Sequence, residues 1–220
     1  MAARIREFYQ SPLTGEAIEA LSFKAIDGEA PPHHFDPMQW QVVRRMVHTT
    51  ADFGLLTDTC FSETAIDAGM HALRSGATLY ADSNMIRRGL SLSRLTQVCP
   101  DYGPERLVCH VAHPEVATQA REAGWPRSLC AVRHARPQLE GAIVAIGNAP
   151  VALLELNRLV LEEGLRPALV IGVPVGFVHV VESKEELMSL DVPFITIRGR
   201  RGGSPVAVSI VHALCSLAQA

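Results

Sequence analysis

One imidazole stands where an apolar run stops and a polar turn begins, in Met46-Val47-His48-Thr49-Thr50-Ala51-Asp52-Phe53. Upstream, Asp36-Pro37 has the form of a helix start, an N-cap followed by proline at the first helical position. Val42, Val43, Met46 and Val47 then recur at helical spacing. His48 is therefore expected at or just past a helix C-terminus, where the helix dipole favours a protonated ring. A ring poised to carry a proton can serve as a general acid. It can equally be a helix-capping or core histidine, since perturbed histidines are often only structural.

Three glycine-bearing segments offer binding chemistry. Gly147-Asn148-Ala149-Pro150 has the pattern of a strand, a tight turn and a helix start. Small residues let backbone approach a ligand, and free N–H groups at a helix start suit a carboxylate or phosphate. The alternative is an ordinary strand-to-helix turn. Arg198-Gly199-Arg200-Arg201-Gly202-Gly203-Ser204 is the densest positive patch, and forked guanidinium donors on a glycine-rich loop fit anions better than a merely solvated run. Residues 172–182 read Gly-Val-Pro-Val-Gly-Phe-Val-His-Val-Val-Glu, either a buried strand and crossing or an apolar wall for a flat ligand with Lys184 at its rim. Ser128, after Arg127, can be a site residue or simply a helix N-cap.

Other chemistries find no support. There is no G-x-G-x-x-G or G-x-x-x-x-G-K-[ST] phosphate motif and no G-x-S-x-G elbow. Cys109, His110 and His113 invite a zinc reading, but a fourth ligand at suitable spacing is missing, so no metal is expected. The five cysteines are scattered without a C-x-x-C pair, the usage of reduced cytosolic thiols. A net charge of −3 argues against general nucleic-acid binding. The charged beginning has no apolar signal core, and no apolar run is long enough to span a bilayer, so a cytoplasmic protein without membrane contact is expected.

The elements that position these residues are legible from punctuation. Residues 1–12 read as a loose arm, 14–25 as a helix and 28–35 as a loop, before the helix that leads to His48. Ser62 is placed to cap a helix over Ala65, Ile66, Gly69, Met70 and Leu73, closed by Gly76. Strands are expected at 77–81, 107–111, 142–146, 168–173 and 193–197. Helices are expected from His113-Pro114 to Gly124, over 128–136 and over 151–163, with Ser183 and Glu186 as a capping box and Ser204-Pro205 opening a last helix. Continuous apolar strands alternating with amphipathic helices imply an α/β three-layer sandwich, a mostly parallel sheet covered by helices on both faces. One domain over residues 1–220 is the simplest organisation. Ligands in such sheets bind beyond the strands' carboxyl ends. That rule gathers residues 82–85, 147–150, 174–177 and 198–204 along one edge.

Together these segments resemble the precorrin-8X / cobalt-precorrin-8 methylmutase family. The likeness runs through Glu19-Ala20-Leu21-Ser22-Phe23-Lys24-Ala25-Ile26, Val47 to Phe53, Asp82-Ser83-Asn84-Met85, Arg127-Ser128, Gly147 to Pro150, Gly172 to Lys184 and Arg198 to Ser204. Val151 stands where the family usually has Thr. The resemblance implies an isomerase of cobalamin biosynthesis that moves a methyl group from C-11 to C-12 of a tetrapyrrole ring, giving hydrogenobyrinic acid, or cobyrinic acid when cobalt is present. The shift is treated as sigmatropic and needs no cofactor. The family's catalytic histidine maps onto His48, which would protonate or hydrogen-bond a ring nitrogen. Substrate contacts are expected from Ser22, Thr50, Asp82, Asn84, Met85, Arg127, Ser128, Gly147, Asn148, Ala149, Gly176, Lys184, Arg198, Arg200 and Arg201. The resemblance also implies a homodimer with sites near the subunit interface. The reading from another class is a non-catalytic corrinoid carrier.

Overall fold

The computed structural model describes residues 3–219. Five parallel strands form its centre: β2 (Leu79–Ala81), β3 (Leu107–Val108), β4 (Ile143–Ile146), β5 (Leu169–Gly172) and β6 (Phe194–Ile197). A sixth strand, β1 (Thr59–Phe61), pairs antiparallel with β6 at one edge, giving the order β1-β6-β5-β4-β2-β3. In β2, β4, β5 and β6 every residue is buried, as expected of strands covered on both faces.

Around the sheet lie α1 (Ile5–Gln10), α2 (Gly15–Glu29), α3 (Pro37–Thr50), α4 (Leu55–Asp58), α5 (Ala65–Arg74), α6 (Asn84–Gly89) and α7 (Leu92–Val98). The chain continues with α8 (Pro114–Ala123), α9 (Arg127–Ala135), α10 (Pro150–Glu163), α11 (Val180–Met188) and α12 (Ser204–Gln219). One core joins α3, α5, α6, α7 and α12 to one face of the sheet through Met46, Leu73, Ile86, Leu95, Ile210 and Leu214. A second joins α9, α10 and α11 to the other through Val132, Leu153, Leu156 and Leu187. The expected three-layer sandwich is the architecture found.

Several boundaries follow the signals in the chain. Asp36 caps α3 by accepting from the N–H groups of Met38 and Gln39 (2.8 and 2.9 Å), and the Gln39 side chain answers to the Asp36 N–H. Gly124 and Gly164 end α8 and α10 in the left-handed region.

Others are corrected. Ile5–Gln10 is helical, not a loose arm; residues 1 and 2 of that stretch lie outside the described residues. The next helix runs on to Glu29, and β3 is two residues long. Ser62 does not cap α5, because its hydroxyl accepts the N–H of Phe194 at the sheet edge (2.9 Å). Ser183 and Glu186 form no capping box: α11 already begins at Val180, behind a left-handed His179. Ser183 Oγ donates to the Val180 carbonyl, and the Glu186 carboxylate accepts from Asn157 (both 2.9 Å). Ser128 lies inside α9, which begins at Arg127 without a side-chain cap.

Candidate active site

Helix α3 presents two unlike faces. Val42, Val43, Met46 and Val47 are buried, while His48, Thr49 and Thr50 are exposed in the last turn. Ala51, in the left-handed conformation at φ 53°, ends the helix. The His48 ring meets the edge of Phe23 on α2, with centroids 5.2 Å apart at 61°. One turn back, Arg45 grips Glu19 with two bonds (3.0 and 3.3 Å). Those bonds, with the charges of Arg45, Arg94 and His48, hold the Glu19 carboxyl below its usual range. His48 thus stands at the surface, on a helix fixed by its apolar face.

Beside it lies a cavity of about 320 Å³ between α3, α6 and α12, lined by Arg45, Thr49, Met85, Gly89, Ser204, Pro205, Val208, Ser209 and His212. Burial and the nearby Arg94 and Arg45 push the His212 ring down to about 4, so it is neutral at pH 7. Its Nε2 accepts the Ser91 N–H (3.0 Å). His212 is thus a buried part of the cavity lining, whereas the exposed His48 lies next to the lining residues Arg45 and Thr49 without being one itself.

The glycine turn after β4 is organised differently from expectation. Its N–H groups are not free. Asp82, at the end of β2, accepts from Gly147 (3.2 Å), Asn148 (3.0 Å) and Ala149 (2.7 Å). Burial raises the Asp82 carboxyl to about 6, and these three donors oppose the rise. Asp82, Gly147 and Ala149 are buried, so in this chain they make an internal clamp; Asn148 alone of the four is exposed. Gly147 is needed for a close approach: a Cβ there would lie 2.9 Å from the Gly203 carbonyl oxygen. Ser83 Oγ and Ser204 Oγ (3.1 Å) complete the link from β2 to the start of α12.

Lys184 is corrected in the same sense. It is fully buried rather than at a rim, and its Nζ donates to the carbonyl oxygens of Gly199 (3.0 Å) and Arg201 (2.6 Å). Burial lowers this ammonium to about 8. It pins the arginine loop from beneath, leaving Arg198, Arg200 and Arg201 exposed. Arg201 reaches Asp58 (3.3 Å) and Asp52 (3.6 Å), the Arg198 Nε donates to Cys60 Sγ (3.1 Å), and Arg200 lies over the Phe177 ring (5.2 Å). Val173 and Pro174 are buried, and the loop comes to the surface over residues 175–179, where Phe177 is 82% and Val178 70% exposed. Gly176, at φ 144°, gives its N–H to the Arg200 carbonyl (3.3 Å).

Of the remaining expected residues, Met85 lines the cavity and Asn84 precedes it, exposed, in the first turn of α6. The Thr50 hydroxyl is bonded to the Met46 carbonyl (2.9 Å), and the Ser22 hydroxyl to that of Ile18 (2.8 Å). Arg127 and Ser128 open α9 and do not line the cavity. Sequence reasoning missed Arg45, Thr49, Ser204 and His212. Arg45, three residues before His48, was findable from helical spacing; His212 carries no local signal.

The precorrin-8X methylmutase family model matches residues 17–217. The chain is similar to the cobalt-precorrin-8 methylmutase of Leptospira interrogans, at 41% identity over 92% of this chain and 94% of that one. It is likewise similar to the cobalt-precorrin-8 methylmutase of Priestia megaterium (42%, covering 96% and 92%) and the precorrin-8X methylmutase of Pseudomonas aeruginosa (38%, covering 92% and 95%). Among solved structures, the precorrin-8X methylmutase of Thermus thermophilus superposes with a TM-score of 0.85 at 45% identity, over 93% of this chain and 97% of that one.

Proposed function

This chain belongs to the precorrin-8X methylmutase family, and from that premise we propose that it moves a methyl group from C-11 to C-12 of precorrin-8, or of its cobalt-bearing form, with His48 as the proton donor. The reaction class is that of the family: an intramolecular transfer in cobalamin biosynthesis, an isomerase acting on a tetrapyrrole. What supports the role of His48 is its place: exposed, in the last turn of α3, between the cavity-lining Arg45 and Thr49. Protonation of, or a hydrogen bond to, a ring nitrogen draws electron density from the conjugated system and eases migration. Such a donor contributes about 10²- to 10⁴-fold, the rest coming from holding the ring in a reactive geometry.

Binding falls to the surface around that donor. Met85 lines the cavity, Asn84 is exposed next to it in the chain, and Thr50 is exposed two residues after His48. Arg198, Arg200 and Arg201 suit the carboxylate arms of the substrate. Asp82, Gly147, Ala149 and Lys184 serve from behind, by shaping the turn and the arginine loop. Ser22, Arg127, Ser128, Asn148 and Gly176 complete the proposed substrate contacts. At about 320 Å³ the cavity is at the low end of ligand pockets, which run to about 1,000 Å³. A tetrapyrrole with its side arms overhangs it. That supports a homodimer in which a second copy closes over the ring and brings the more distant residues to it. The chain is proposed to act as one domain in the cytoplasm; no described helix is long and apolar enough to cross a membrane.

His48→Ala is expected to fold and to bind the corrinoid while losing about 10²-fold or more of the isomerisation rate. The assay is the change in absorption on adding metal-free and cobalt-bearing precorrin-8 in parallel. Near-normal turnover by the variant would reject His48 as the donor, and binding without any spectral change in the unmodified protein would favour a carrier.

A further inference from the structure

Away from the cavity, the hairpin of α8 and α9 gathers three histidines. A tight turn, closed by the His113 N–H to the His110 carbonyl (2.9 Å), ends in His113, the N-cap of α8. His134 comes from the last turn of α9. The ring centroids of His113 and His134 are 4.7 Å apart, and that of His110 is 4.8 Å from His134. Glu115 brings Oε2 to 3.8 Å from His134 Nδ1. The two helices are locked by their own small core of Val116, Ala120, Cys130 and Ala131, so the side chains project from a rigid base.

Edge-to-face and tilted imidazoles are by themselves ordinary packing, but two details point to a ligand. His113 Nδ1 is buried and has no hydrogen-bond partner among the described residues. A buried ring nitrogen left unpaired carries a desolvation cost that packing alone does not offset. In addition, one ligand atom from each of His113, Glu115 and His134 lies within 4.8 Å of the others. Ligands about 2.1 Å from a tetrahedral ion sit roughly 3.4 Å apart, so modest side-chain rotations close the set. We propose that His113, Glu115 and His134 form a binding site for a divalent first-row transition metal, zinc being the natural occupant, outside the corrinoid site.

Two imidazole nitrogens and one carboxylate oxygen match the donors preferred by zinc, with water as the fourth ligand. His110 is turned toward Gln138, with Nε2 and Oε1 2.7 Å apart, and flanks the set as an orienting neighbour. The spacing along the chain hides the site, since Glu115 and His134 are brought together only by the helical hairpin.

The test uses the full chain without a polyhistidine tag, stripped with chelator and titrated with zinc chloride by calorimetry. One equivalent should bind with Kd on the order of 1 µM or tighter. His134→Ala and Glu115→Gln should each weaken binding by about tenfold or more, with unchanged circular dichroism, and zinc should shift the imidazole nitrogen resonances of His113 and His134 but not of His48. Absence of stoichiometric binding, or the unmodified protein's affinity retained in either variant, would overturn the site. The nitrogen spectra decide the matter if a variant fails to fold.

Discussion

At the scale of single residues, the site depends on polar groups taken out of water. Asp82 satisfies three backbone N–H donors, two of them, on Gly147 and Ala149, buried, and leaving such buried donors unpaired costs about 1–3 kcal/mol each. Asp82→Asn places an N–H₂ among them and should destabilise the fold by about that amount at pH 7, measured by urea unfolding. The pH dependence has a definite sign. The folded carboxyl, near 6, lies above its ordinary 3.8, so the folded state holds this proton more tightly. Its contribution to stability is full below about pH 4, declines up to about pH 6 and is flat above. The deficit of Asp82→Asn should therefore be largest near pH 4 and shrink toward pH 6; a deficit that grows over that window contradicts the assignment. The exposure of His48 and the arginines was legible in the sequence, because a helix end and a glycine-rich loop announce themselves by residue type and position. Lys184 and Asp82 were not read correctly, because nothing local tells that a charged side chain is buried. Their partners lie at least 15 residues away.

At the scale of elements, packing against the glycine turn is the sensitive point. The turn after β4 touches the start of α12 so closely that Gly147→Ala would press a methyl group against the Gly203 carbonyl oxygen. Overpacking of this kind costs about 1–3 kcal/mol. The variant should melt several degrees lower and turn over more slowly; an unchanged melting temperature with normal activity would show that the turn can yield. Lys184→Met removes both donors under the arginine loop. Amide exchange at Gly203 and Gly176, which bond to Val173 and Arg200, should then quicken at least tenfold relative to β4. Equal protection would mean that the loop is held by other contacts. The long elements were readable from Asp36-Pro37, Gly124 and Gly164, since caps act locally. The elements β1, α4, α6 and α7 went unread, being three to seven residues long and fixed by what they pack on. Ser62 and Ser183 misled because their hydroxyls have tertiary or in-helix partners that outcompete a cap.

At the scale of the whole molecule, α2 has no buried residue, and Ile18 and Leu21 are about half exposed on it, next to Ser22 and Phe23. Phe177 and Val178 add a second apolar exposure. Apolar side chains grouped beside a proposed substrate contact fit a surface covered by a second copy. Sedimentation should show a dimer that Leu21→Asp with Ile18→Asp converts to monomer; a monomeric unmodified protein would remove the proposed homodimer. The layered architecture was legible from the alternation of strands and helices, whereas its partition into two cores awaited the strand order. That order, 2-1-3-4-5 for the parallel strands, reverses direction between β2 and β4, where open α/β sheets usually receive a ligand. Here the crevice is plugged by the protein's own carboxylate. Anyone wishing to graft a nucleotide pocket onto this scaffold would have to evict that anion before any phosphate could enter.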